Sequence, residues 1–138
     1  MKTIRIGQKF SKEFIVTKNM VNDFASCTGD LNPIHLDEEF AKNTRFKKPI
    51  AHGFLVGSFI SNVLGNDFPG QGTIYISQRM NFNHPVYIEE KIIVNVEVNK
   101  ILSRSKIFLK TKCLNKSGVK VIDGDASVLV PSGSLILP

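Results

Sequence analysis

Asp30 and His35 lie five residues apart between Phe24 and Asp37, with Gly29 before them and Asn32-Pro33 between them. On one unbroken α-helix that separation sets two side chains about 140° apart around the axis, on different faces. Gly29 and Asn32-Pro33 break a helix here, and a loop can turn both side chains into one pocket. A carboxylate and an imidazole sharing a pocket can hold a water and move its protons at neutral pH. The same residues also read as a turn or capping aspartate and a core histidine with satisfied ring nitrogens. Spacing alone does not separate the two readings. His52-Gly53, just before an apolar run, is a second place for chemistry. A glycine there lets a ligand approach the backbone, and its N–H points out of a helix N-terminus. Such a group stabilises negative charge developing on an oxygen. It is equally a helix-start glycine with no ligand.

The elements that must position these residues follow from a change of pattern near Gly70. Before it the periodicity is mostly helical. Thr17 suits the cap of a short helix with Met20, Val21, Phe24 and Ala25 on one stripe. Asp37 followed by Glu38 and Glu39 opens a second helix, running through Phe40 and Ala41 toward Thr44. Residues 54–64 form a third, apolar on nearly every side and bracketed by Gly53 and Gly65. After Gly70 the period becomes two. Ile74, Ile76, Met80 and Phe82 share one strand face, and His84-Pro85 ends that strand. Ile92, Val94, Val96 and Val98 mark a second strand. Residues 107–114 and 119–130 form two more, joined by a turn at 115–118. Residues 4–16 read as a strand pair or a broken strand. The pattern is α+β, an antiparallel sheet curved around the apolar helix.

Length and composition fit this reading. The 138 residues suit a single domain, 1–138, with a sizeable core. At 42% hydrophobic and 22% charged residues, wholesale disorder is excluded. The net charge of +6 suits an anionic partner, but the basic residues are dispersed and accompany no nucleic-acid-reading motif, so no nucleic acid is expected. Cys27 and Cys113 read as reduced thiols, Cys27 as a buried small hydrophobe. Residues 50–66 include His52, Ser58, Ser61 and Asn62, which does not suit a membrane span of about 20 apolar residues. The N-terminal residues contain no signal-like apolar run, and the chain reads as cytoplasmic.

The segment Phe24 to Asp37, with Gly29-Asp30, Asn32-Pro33-Ile34 and His35, resembles the hydratase-2 motif of MaoC-like (R)-specific enoyl-CoA hydratases. The resemblance continues through Pro49 to Gly53, Gly72 to Tyr75 and Phe82 to Val86, with no departure at the chemical positions. It implies a hot-dog fold working as a homodimer, and reversible syn hydration of a trans-2-enoyl thioester to the (3R)-3-hydroxyacyl thioester. Asp30 and His35 would activate the water, and the Gly53 N–H would bind the thioester oxygen. Asn32 would orient the loop, and Ser61 matches a family serine near the pocket. No metal or redox cofactor is implied, because a carbonyl conjugated to the alkene already activates C3. The substrate would be a thioester of coenzyme A or acyl-carrier protein. Phe59 and Leu64 are candidates to line an acyl tunnel, and Arg45, Lys47 and Lys48 to meet coenzyme A phosphates. His84 reads as structural.

Three rivals differ in class. Hot-dog thioesterases resemble one another in carrying an acidic residue on the central helix, and residues 54–64 contain none. A dehydratase acting on (3R)-hydroxyacyl-acyl-carrier protein would run the same reaction in reverse. A non-catalytic acyl-thioester binding protein would not need to keep both Asp30 and His35.

Overall fold

The computed structural model describes residues 2–137. Strands β1 (Thr3–Arg5) and β2 (Lys9–Ile15) precede helix α1 (Lys18–Thr28). Short helices α2 (Pro33–Leu36) and α3 (Glu38–Lys42) lead to the long helix α4 (Gly53–Asn66). Strands β3 (Ile74–Phe82), β4 (Lys91–Ile101), β5 (Lys106–Asn115), β6 (Lys120–Leu129) and β7 (Leu135–Leu137) complete the chain. Five strands form one antiparallel sheet in the order β2-β4-β5-β6-β3.

Local signals account for most of these elements. Thr17 caps α1, its Oγ1 accepting the Met20 N–H at 3.1 Å. Asp37 caps α3 in the same way through Phe40 N–H. In β4, Ile92, Val94, Val96 and Val98 are buried while their neighbours are partly exposed, as alternation requires. They pack with Ile107 and Leu109 of β5, Ala126 and Val128 of β6, and Leu55, Phe59, Ile60 and Val63 of α4 in one core.

Several expectations are corrected. The central helix runs past Gly65 to Asn66, because backbone hydrogen bonding continues there and Asp67 closes it. The N-terminal strands do not pair with each other: β1 pairs in parallel with β7, and β2 joins the main sheet beside β4. Thr44 lies beyond α3, although its N–H still donates to the Ala41 carbonyl at 3.0 Å in a tighter turn. Cys27 is exposed, on the outer side of α1, whereas Cys113 is buried and its thiol is pushed up to about 12 by that burial. No helix among the described residues is long and apolar enough to cross a membrane.

β3 is the edge strand nearest the start of α4. It can approach because Gly53 and Gly57 carry no side chain: a Cβ at Gly53 would lie 2.9 Å from the Phe82 ring and one at Gly57 2.8 Å from the Met80 sulfur. Gly124 on β6 is tighter still, since a Cβ there would collide with the Arg79 backbone carbonyl of β3. Gly124→Ala therefore splays the β3–β6 ladder, at the upper end of the about 1–3 kcal/mol typical of overpacking or beyond it. Gly65→Ala meets open space in a helix and gains about 0.5–1 kcal/mol. Urea midpoints of the two variants should move in opposite directions; a neutral Gly124→Ala would contradict this packing.

Candidate active site

The site is assembled by successive caps. Gly29 takes the left-handed conformation at φ 78° and closes α1 by donating its N–H to the Ala25 carbonyl at 2.9 Å. The chain then turns. Asp30 Oδ1 accepts the Asn32 N–H at 3.2 Å, and Asn32 Oδ1 accepts the Ile34 N–H at 3.2 Å. Asn32 thus caps α2, with Pro33 at its first position, where a missing N–H costs nothing. Asn32-Pro33 starts a helical turn where a loop was expected, so His35 rides on α2 and Asp30 on the loop before it.

Pro49 to His52 form a strap across the site. Ile50 donates its N–H to the Ile34 carbonyl at 3.2 Å, and Ala51 donates to Val86 at 2.7 Å. The Ile50 carbonyl accepts from His35 Nδ1 at 2.7 Å. A carbonyl only accepts, so Nδ1 carries the proton and Nε2 of neutral His35 keeps its lone pair. His52, 1% exposed, donates from Nε2 to the Asp30 carbonyl at 3.1 Å. Its ring lies 3.9 Å from that of His35, tilted by 31°, and 4.8 Å from that of Phe24.

A carboxylate oxygen of Asp30 and one ring nitrogen each of His35 and His52 lie within 4.8 Å of one another. One water making two hydrogen bonds of about 2.8 Å spans such a gap. The same trio is a metal-type donor set. In each ring one nitrogen is already spent on a backbone carbonyl, His35 Nδ1 on Ile50 and His52 Nε2 on Asp30. Burial holds the His35 pKa below its ordinary 6.5; the Ile50 hydrogen bond raises it, His52 lowers it further and Asp30 raises it. At neutral pH His35 is a proton acceptor beside the Asp30 carboxyl group.

Gly53 opens α4, and no side chain caps that end. Its N–H belongs to the first turn, which lacks intrahelical acceptors and carries the positive end of the helix dipole. Asp30, His35, His52 and Gly53 line a cavity of about 500 Å³ whose apolar walls include Phe46, Phe54, Val56, Phe82, Val86 and Ile122. Arg45 and His84 line it too, which gives His84 a place at the site beyond a purely structural one. A second cavity of about 540 Å³ also reaches His35 and is bordered by Lys18, Lys42, Lys47 and Lys48. Arg45 is thus separated from Lys47 and Lys48, while Lys48 lies over the Tyr87 ring at 5.3 Å.

Three expected pocket residues stand elsewhere. Phe59 stacks on Phe14 at 4.5 Å, Leu64 is 1% exposed in the core, and Ser61 is on the outer side of α4. None borders either cavity at His35. Conversely, sequence reasoning missed the side chains of His52, Phe54 and Phe82. A histidine inside an otherwise charge-poor apolar stretch was the available signal for His52.

The MaoC like domain matches residues 2–119. The chain belongs to the MaoC-like family. An (R)-specific enoyl-CoA hydratase of Aeromonas caviae is 36% identical over 132 residues, covering 94% of this chain and 97% of that protein. A mitochondrial 3-hydroxyacyl-acyl-carrier-protein dehydratase of Solanum lycopersicum is 35% identical, covering 94% of this chain and 79% of that one. The R-hydratase of Pseudomonas aeruginosa in unliganded form superposes with a TM-score of 0.89 at 36% identity, covering 93% of this chain and 83% of that one. The architecture is thus the hot-dog fold of this MaoC-like family.

The depressed His35 pKa has a consequence for stability. Below about pH 6.5 the unfolded histidine binds a proton that the folded protein resists, so the unfolded state is favoured. This contribution is intact above the unfolded pKa and is lost as pH falls through the folded one. Urea midpoints measured from pH 7.5 downward should drop in this window, and His35→Gln should flatten part of that drop. An identical slope in the variant would contradict the assignment.

Proposed function

We propose that this MaoC-like chain is an (R)-specific enoyl-CoA hydratase that reversibly adds water across trans-2-enoyl-CoA to give (3R)-3-hydroxyacyl-CoA. The observation that carries the reading is the Asp30 carboxylate and His35 within one water's reach, in the cavity that Gly53 also lines. The names and coverage of the relatives support it. Asp30 and His35 Nε2 orient the water, and one of them takes its proton as the oxygen bonds to C3. Electron density moves from the alkene to the thioester oxygen, where the Gly53 N–H stabilises it. The enolate collapses as C2 takes a proton from the same pair. The conjugated carbonyl activates C3, so the reaction calls for no metal or redox cofactor.

The acyl group lies along the Phe54 and Phe82 walls. Lys47 and Lys48, bordering the second cavity that reaches His35, meet the phosphates of the carrier, while Arg45 lies on the acyl side. The tomato relative favours a second reading, dehydration of a (3R)-hydroxyacyl-acyl-carrier protein, and kcat/KM with matched C4 thioesters of the two carriers separates them. Two unpaired thiols suit a reducing cytoplasm.

Loss of enoyl-thioester ultraviolet absorbance, from crotonyl-CoA through C12 substrates, tests the activity. Asp30→Asn and His35→Gln should each lower kcat by about 10²–10⁴ without unfolding the protein. If either variant folds and keeps more than a tenth of wild-type turnover, a deficit below about 1.4 kcal/mol, the pair is scaffold.

We further propose a homodimer. The β3 edge leaves Ile74 (55%), Ile76 (48%) and Phe82 (48%) exposed, next to Phe54 at 68%. An unpaired apolar strand edge is a liability that pairing about a two-fold axis removes. Sedimentation at micromolar concentration should give twice the 15.4 kDa chain mass; a species of 15.4 kDa alone would contradict it.

A further inference from the structure

We infer that His52 is a positioning residue for the hydration step, holding Asp30 in place from beneath the catalytic pair. The inference rests on the hydratase reading above. His52 stands at the junction of four elements. It immediately precedes α4, its ring packs on Phe24 of α1 and on His35 of α2, and its Nε2–H reaches the carbonyl of Asp30 in the loop between those two helices. Asp30 is itself exposed, and its other hydrogen bonds reach only near neighbours in the chain, Thr28 at the end of α1 and Asn32 before α2. The His52 bond is therefore the tie that joins Asp30 to the start of α4, and through it to Gly53.

A packing role alone would not select a histidine here. The carbonyl partner makes Nε2 the protonated nitrogen, so Nδ1 keeps a bare lone pair. Nδ1 is buried and has no hydrogen-bond partner. An unpartnered buried acceptor destabilises the fold, and an apolar side chain would avoid the cost. What an apolar side chain would lose is the donor that fixes the Asp30 backbone. A carboxylate displaced by about 1 Å can cost about 10²-fold in rate.

The test exploits the shapes of the two amides. In His52→Gln the amide N–H can occupy the Nε2 position; in His52→Asn the amide stops at the Nδ1 position; His52→Phe keeps a stacked ring with no donor. Steady-state kinetics on crotonyl-CoA, with a circular dichroism melt for each variant, should give kcat about 10²-fold down for Asn and Phe. Gln should stay within about tenfold of wild type, and KM should change by less than about threefold throughout. In an Asp30→Asn background the three variants should become nearly equal, because groups acting as a unit are non-additive. If His52→Phe does not fold, the Gln and Asn pair decides alone. An active wild type with all three variants equally impaired, or with their differences preserved beside Asp30→Asn, would overturn the positioning role and leave the hydratase reading standing. An inactive wild type would overturn both.

Discussion

Burying α4 within the curve of the sheet determines where its first turn emerges, because a helix apolar on most sides must be enclosed on most sides. Leu55, Val56, Phe59, Ile60, Val63 and Leu64 meet alternate residues of β4, β5 and β6, while Gly53 and Gly57 let β3 close over the N-terminal half. The uncapped first turn is held at the rim of the core, and the strap leading into it must cross the same rim. That strap supplies the Ile50 carbonyl to His35 and the His52 ring to Asp30. Displacing α4 would move the Gly53 N–H, His35 and Asp30 together, the three groups of the proposed reaction.

The capping and water-holding readings of Asp30 do not exclude each other. Oδ1 accepts the Asn32 N–H in a tight turn, which is the capping role, and a carboxylate has a second oxygen to offer a water. His35 likewise spends Nδ1 on a carbonyl and leaves Nε2 free to accept a proton. In each residue one atom is committed to structure and another is left for the proposed reaction. The hydrogen bonds that satisfy the fold are thus the ones that aim the atoms the proposed reaction uses.

Much of this was legible because its signals are local. The Thr17 and Asp37 caps, the alternation in β4 and the apolar run of α4 each follow from residues within a turn or two of one another. The Asp30–His35 pair was legible as residue types between helix breakers. Asn32-Pro33 misled because the features that end one helix also begin another: an asparagine caps and a proline fits the first turn. The β1–β7 pairing joins the two ends of the chain, and no local period encodes it. Phe59 and Leu64 share the apolar pattern of a tunnel wall and of a core; only the packing against Phe14 and the sheet tells them apart. The bond from His52 to Asp30 spans 22 residues and depends on the whole loop path.

The central claim is that one water, held by Asp30 and His35 on one side of the substrate, supplies both the oxygen at C3 and the proton at C2. Hydrating crotonyl-CoA in deuterium oxide and reading the product by proton coupling constants and chiral analysis tests it directly. The account predicts a (3R) alcohol with the deuterium at C2 on the same face as the new hydroxyl. Addition to opposite faces, or a (3S) alcohol, would contradict it.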